Sequence, residues 1–386
     1  MSLLSQSLVV SRLSLASLRQ RGWSALVIVV GTACTIGVLL AMLSVTAGLL
    51  RAARAGGDPL NVIVHSQQSS GEFGGGISQA DVATILGAPG VAKGADGKPV
   101  GDAQLVRQLP PAAGFAEGTL QMRGIGPGGA ALHRGFHIIA GRMFRPGLHE
   151  LVVGAGANRQ FDLKVGDRMI LPDGDWPIVG VFSSQGGTVE SLLLADARTL
   201  MTSMRASDFG SVLVRLEDPS ALGKLQQWLS SNPTLSVVAE RQTDYYLRRV
   251  AGPTQFYTVI ALVVGVMLGI GALFGSVNIM YGAVNARTRE IATLRAVGYE
   301  ALPIGISVVL EAILLACAGA ALGCGISWWV FNGKLNSIGS QIFANAVSPR
   351  LVAIGFGWAV SIAVLGALLP AVRAGRLAVA QALRPT

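Results

Sequence analysis

The sequence predicts a polytopic α-helical membrane protein: four transmembrane helices, with an α+β extracytoplasmic domain between helices 1 and 2. Three observations point there. The 386-residue chain is 51% hydrophobic and only 13% charged, about half the roughly 25% charge of ordinary soluble domains, and its mean hydropathy is +0.54. Four apolar runs reach the ~20 residues that a bilayer core demands. A long stretch of mixed, turn-rich sequence separates the first run from the second.

The first span is expected over residues 23–50, between Arg21 and Arg51. It is longer than the ~7–15-residue core of a signal peptide, so retention is expected. The second span is placed at 253–284, the third at 302–332 and the fourth at 351–372, the last between Arg350 and Arg373. Residues 285–301 and 333–350 are the short connecting segments. Orientation follows from the basic residues of the short loops. With the N-terminus inside, residues 1–22, 285–301 and the tail 373–386 are cytoplasmic and hold nine arginines against Glu290 and Glu300. Residues 51–252, with 19 basic and 18 acidic residues, are then extracytoplasmic. The net charge of +9 is therefore a topology signal, and no nucleic-acid partner is expected.

Within 51–252 the stretches LNVIVH (60–65), TLQMRGI (119–125), ELVVG (150–154), WPIVGVF (176–182), SLLLA (191–195) and SVLVRL (211–216) read as strands. Ser78 and Asp81 form a capping-box-like pattern, Asp196 suits another N-cap, and Asp218-Pro219 suits a third helix start. Strands mixed with short helices predict α+β. Residues 66–76 and 124–130 read as Gly-rich loops. From Thr243 a helix is expected to run on into the second span, joining domain and membrane rigidly.

No Gly-x-x-x-x-Gly-Lys-Ser/Thr loop, nucleophile elbow or His-Glu-x-x-His pair occurs in the sequence. The chain is therefore expected to be non-catalytic and to carry no cofactor. His133 and His137 have the i,i+4 spacing of a helical metal pair, but HRGFHIIAGR reads as strand and turn with Gly135 between them, so no metal is expected. Cys34, Cys317 and Cys324 lie in apolar runs and read as small buried hydrophobes without a disulfide framework. Gly265/Gly269, Gly271/Gly275 and Gly319/Gly323 let helices approach closely. They serve either packing within the chain or packing against a second subunit.

Two features remain. Glu311 sits inside the third span, on the order of 13 Å along it, where an unpaired carboxylate costs a few kcal/mol. Either a neighbouring Arg neutralises it near the interface, or it makes a polar contact that changes as helices rearrange, with Asn278 as the candidate partner. The second feature is NARTREIATLRAVGYE (285–300), a compact charged segment between two long apolar runs. As a helix it pairs Arg287 with Glu290 and Ile291 with Leu294 at i,i+3, setting apolar knobs beside charges. Gly298 suits its C-terminus and Pro303 the first turn of the next helix.

At these residues the sequence resembles the FtsX-like, MacB-like permease family, the type VII mechanotransmission group that includes macrolide exporters and lipoprotein-release permeases. Arg289, Glu290, Ile291, Leu294, Arg295, Ala296 and Gly298 fill its Arg…Glu-Ile…Leu-Arg-Ala-x-Gly run, and Glu311 fills the Glu of the following span. Pro370, Ala382, Leu383 and Arg384 fill its terminal motif. Residues 141–182 resemble its periplasmic core domain. The resemblance implies a bacterial inner-membrane permease subunit with both termini cytoplasmic and an interfacial helix over 1–22. Leu4, Leu8, Leu15 and Leu18 fit that helix's face; Val9 and Leu13 do not.

The implied partners are two copies of a separate ABC ATPase, which would bind ATP and Mg, and a second permease subunit, identical or paralogous. Membrane lipids, a periplasmic adaptor and an outer-membrane channel complete the implied set. The implied coupling residues are Arg287, Arg289, Glu290, Ile291, Leu294, Arg295 and Gly298. ATP-driven motion would pass to the periplasmic domain and drive efflux or extraction of a substrate. The alternative is a regulatory transmitter that controls an extracytoplasmic hydrolase or sensor without transport.

Overall fold

The computed structural model describes residues 22–69, 71–109, 120–171 and 173–376. The helix expected over 1–22 falls almost wholly outside the described residues, as do Ala382, Leu383 and Arg384 of the terminal motif. In chain order the elements are α1 (Gly22–Ala55), β1 (Asn61–Ser66), α2 (Gln79–Leu86), β2 (Gly101–Gln108), β3 (Gln121–Ile125), β4 (His137–Gly141), β5 (Leu151–Gly154) and α3 (Ala155–Phe161). Then come β6 (Arg168–Leu171), β7 (Gly174–Ser183), β8 (Leu192–Asp196), α4 (Ala197–Ser203), β9 (Ser211–Arg215), α5 (Ala221–Ser231) and β10 (Val237–Arg241). The chain closes with α6 (Gln242–Ala286), α7 (Thr288–Ala296), α8 (Ala301–Phe331), β11 (Leu335–Ile338), β12 (Gln341–Ala344) and α9 (Pro349–Gly375). These form two compact units, one helical and one mixed.

The helical unit draws on α1, α6, α8 and α9, the four helices among the described residues long and apolar enough to cross a membrane. Ile36, Leu40, Ile304 and Val308 pack with an alanine ladder at 312, 316, 320, 359, 363 and 367. Small side chains are what let these helices meet. A Cβ at Gly319 would lie 2.6 Å from the Val29 carbonyl, and one at Gly323 2.5 Å from that of Ala33. Gly265 packs likewise on Leu39, and Gly269 meets Trp358. Two of the three glycine pairs thus serve packing within the chain, whereas Gly271 and Gly275 face open space. Of the cysteines only Cys324 is buried; Cys34 is exposed, against expectation, because it lines an open groove between α1 and α6.

The mixed unit is built on a ten-stranded sheet ordered β10-β1-β9-β2-β3-β8-β5-β7-β4, with β6 paired to β7. The pairs β3/β8 and β5/β7 are parallel and the others antiparallel. Strands β3, β5 and β8 are buried on both faces; β5 and most of β8 accordingly read as apolar runs, whereas β3 buries Gln121 and Arg123. One core gathers Val62, Val64, Ile85, Val212 and Leu225, and another Met122, Val153, Trp176, Leu193 and Leu200. Ser78 and Asp81 close a reciprocal capping box on α2, and Asp196 accepts the Thr199 N–H at the start of α4. The third start differs from expectation. Asp218 accepts from the Ser220 N–H and hydroxyl, which holds 218–220 as a turn and delays α5 to Ala221.

The segment 333–345 belongs to this mixed unit. Strands β11 and β12 form a hairpin around Gly339 (φ 61°) and Ser340, and Gly at the first turn position supplies the positive φ of a type II′ turn. Ile342 is buried in the second core. Its amide and carbonyl both bond the Ser191 hydroxyl, at 2.9 and 3.0 Å.

Candidate functional site

The charged segment between α6 and α8 folds as predicted in type but not in every role. Helix α6 ends at Ala286, and the Arg287 N–H bonds the Val284 carbonyl. Arg287 then caps α7, its own carbonyl accepting the Ile291 N–H at 2.9 Å. Glu290 in the first turn and Arg295 in the last turn complement the helix dipole. The helix stops in a Schellman motif: Gly298 N–H to Arg295 O and Tyr299 N–H to Leu294 O, both 3.1 Å, with Gly298 at φ 101°. Pro303 lies in the first turn of α8, where its missing N–H costs nothing.

Arg287 reaches from this segment into α8. Its Nη1 donates to Glu311 Oε2 at 3.0 Å, and Nη2 approaches Oε1 at 3.5 Å. Glu311 is 6% exposed. The predicted partner, Asn278, is instead exposed. The reason is reach: Arg287 follows the last turn of α6 and carries a long fork-shaped donor, whereas Asn278 sits more than two turns earlier on another face. A small cavity between Met280, Arg287, Ile291, Ile304 and Glu311 lies beside the pair.

The predicted coupling residues separate into two faces. Ile291 is buried in the helical core with Val284 and Ile304, so it anchors α7 within this chain and is not offered outward. Leu294 is half-buried. Arg289, Glu290 and Gly298 are exposed, and Arg295 is half-exposed. Sequence reasoning missed Val297, which is 74% exposed beside Gly298; an apolar residue before a helix-ending glycine was its only signal. On the neighbouring α9, the Arg373 guanidinium stands 5.4 Å from the Tyr281 ring centre.

The mixed unit carries a second charged group that the sequence did not disclose. Arg123 on β3 meets Glu72 through two bonds of 3.0 and 2.9 Å and also donates to Gln104 Oε1 at 2.6 Å. Burial disfavours charge on the Arg123 guanidinium, but the Glu72 carboxylate outweighs it and holds the group charged. Nearby, burial raises the Asp102 carboxyl to about 6, although the Gly126 N–H and Gln104 amide favour its charged form. Burial, helped by Arg123, lowers His133 to about 3. His133 and His137 do not converge: His133 is buried, His137 is exposed on β4. No His, Cys, Asp and Glu cluster suited to a metal occurs among the described residues.

The MacB-like periplasmic core domain family matches residues 24–231, more than half of the chain, and the FtsX-like permease C-terminal family matches residues 261–379. The chain belongs to the FtsX-like, MacB-like permease family. It is an FtsX-like permease and a multi-pass membrane protein. The Escherichia coli macrolide export ATP-binding/permease protein MacB is 32% identical over 122 residues, 32% of this permease and 19% of that protein. A Yersinia pestis bv. Antiqua (strain Antiqua) macrolide export ATP-binding/permease protein, MacB 2, is 28% identical over 171 residues, 43% of this permease and 25% of the relative. The matched stretches thus span a quarter or less of these relatives' own length. The extracellular domain of the noncanonic ABC-type transporter YknZ from Gram-positive bacteria aligns with 47% of this chain and 100% of its own, at TM-score 0.36 and 15% identity.

Proposed function

We propose that this permease couples ATP hydrolysis on a separate ABC ATPase chain to movement of its α+β domain, and that the movement drives efflux or extraction of a substrate. The observation that carries this reading is the Arg287–Glu311 pair. It ties the polar segment before α8 to the interior of that helix, while Arg289, Glu290 and Val297 stay exposed on the same segment. A protein held on those three residues would load the Arg287 end of the pair and displace α8 directly. Ile291 and Ala292, buried against the helical core, keep α7 from sliding independently. ATP and Mg would reside on the ATPase. Two ATPase copies, a second permease subunit, the inner membrane and cytoplasmic termini belong to the same proposal.

The test is co-purification with the ATPase and ATP hydrolysis in proteoliposomes for Glu290→Lys and Val297→Asp. Both changes are expected to weaken association and coupled hydrolysis while leaving thermal stability unchanged, since exposed substitutions shift stability by only about 0.5 kcal/mol. Wild-type association in both variants would refute the docking surface.

A further inference from the structure

The α+β unit holds a cavity of about 470 Å³ that the proposed coupling does not use. One part of its wall is apolar: Leu49, Phe73, Val250, Pro253 and Ile338. Another part is polar: Gln108, Gln121, Ser340, Gln341 and the half-buried Arg249. Arg249 donates to the Tyr245 hydroxyl at 3.2 Å and lies 4.1 Å from the Phe73 ring centre. Among the described residues it has no carboxylate partner. Glu72 lines the smaller cavity behind and is committed to Arg123 through both oxygens.

Gln121, Arg249 and Gln341 also line a smaller cavity behind, of about 20 Å³, room for about one water-sized atom. Arg123 and Thr188, 4% and 6% exposed, line it as well. Among the described residues Arg123 Nε and Thr188 Oγ1 have no hydrogen-bond partner. Buried polar groups are ordinarily satisfied, so these two point to an oxygen acceptor at the deep end. The wall thus combines one uncompensated cation, unsatisfied donors behind it and an aliphatic and aromatic mouth.

We propose that this cavity binds an amphiphile with an anionic head, a phosphate or carboxylate on an aliphatic tail. The head lies on Arg249 and Gln121, and the tail runs along Phe73, Val250 and Ile338. Pro253, which has no N–H to give to the Arg249 carbonyl one turn earlier, opens the helix wall at the same place. The ligand reading stands independently of ATPase coupling.

The experiment uses the whole permease in phosphatidylcholine nanodiscs and dodecyl phosphate carrying a diazirine in its tail. Crosslinking is mapped by peptide mass spectrometry. Label is expected on the peptides containing Phe73, Val250 or Ile338. Unlabelled dodecyl phosphate competes; inorganic phosphate and dodecyl maltoside at equal concentration do not. A charged hydrogen bond lost from the head weakens labelling about tenfold or more in Arg249→Gln. Ser340→Glu, on the half-buried hairpin turn where the Ser340 hydroxyl accepts from the Gln121 amide, gives the same loss by repulsion and covers the case in which the first variant misfolds. Lys224→Gln, on the distant α5, leaves labelling unchanged. Label elsewhere, equal competition by the maltoside, or full labelling in both head variants overturns the proposal; competition by inorganic phosphate alone reduces it to a simple anion site.

Discussion

Arg287, the residue that caps α7, and Glu311, nearly three turns into α8, meet at 3.0 Å with both side chains largely out of solvent. Removing one partner of such a pair leaves a buried charge and costs about 3–5 kcal/mol. Glu311→Leu and Arg287→Leu are therefore expected to lower the melting temperature of the purified permease markedly. Glu311→Gln, which retains an acceptor, should lose less. The exchange Arg287→Glu with Glu311→Arg should recover part of the loss. Equal melting temperatures for all four variants would show that the pair contributes nothing.

The Glu72–Arg123 pair predicts a distinct outcome in the α+β unit. Glu72→Gln keeps the shape but strips the charge that compensates a 4%-exposed Arg123. The expected loss is again about 3–5 kcal/mol, read as a lower denaturant midpoint. Replacing both residues with Met removes the orphaned charge, and is expected to be milder than Glu72→Gln alone.

Asp102 and His133 predict a compensated pH response. Asp102 titrates near 6 when folded, against an ordinary 3.8, so the stability it contributes is present below pH 4 and lost as pH rises to 6. His133 titrates near 3, against an ordinary 6.5, so its contribution is present above 6.5 and lost as pH falls toward 3. Between pH 4 and 6 the two slopes oppose. Asp102→Asn should expose the histidine's slope, a loss of about 1.4 kcal/mol per pH unit on acidification at most. His133→Gln should show the reverse slope. Chemical denaturation at pH 4, 5 and 6 reads both.

Gly298 occupies φ 101° at the end of α7. Gly298→Ala has open space for its methyl group, so any effect is conformational, about 1–2 kcal/mol. The expected signature is faster amide exchange at positions 298 and 299, whose N–H groups close the Schellman motif, with the helical core unchanged.

Much of this was legible from residue patterns. The four spans followed from run length alone. Buried strands such as β8 (LLLAD) and β9 (SVLVR) announced themselves as apolar runs. The capping box at Ser78 and the helix stop at Gly298 rest on local chemistry. What escaped was non-local. Strand β2, GDAQLVRQ, carries too many polar residues to read as a strand until its neighbours are known, and β6, RMIL, is too short to stand out as one. Glu72 sits in a Gly-rich loop whose composition hides a buried carboxylate. Asn278 was nearer the expected depth of Glu311 than Arg287, yet the arginine's length decided the pairing. Ile291 looked like an outward knob because a short amphipathic segment does not reveal which neighbour claims its apolar side.

The β11–β12 hairpin makes the α+β unit discontinuous in the chain, and that fixes an order of synthesis. Ile342 completes a core shared with Trp176 and Leu193, yet it leaves the ribosome only after α6 and α8 have been made. Until then Ser191 and the apolar edge beside it wait uncovered, and the domain reaches its final state only once the hairpin has arrived. A fragment cut at residues 51–252 would carry that gap permanently, while the same fragment with residues 333–345 joined by a short linker would close it.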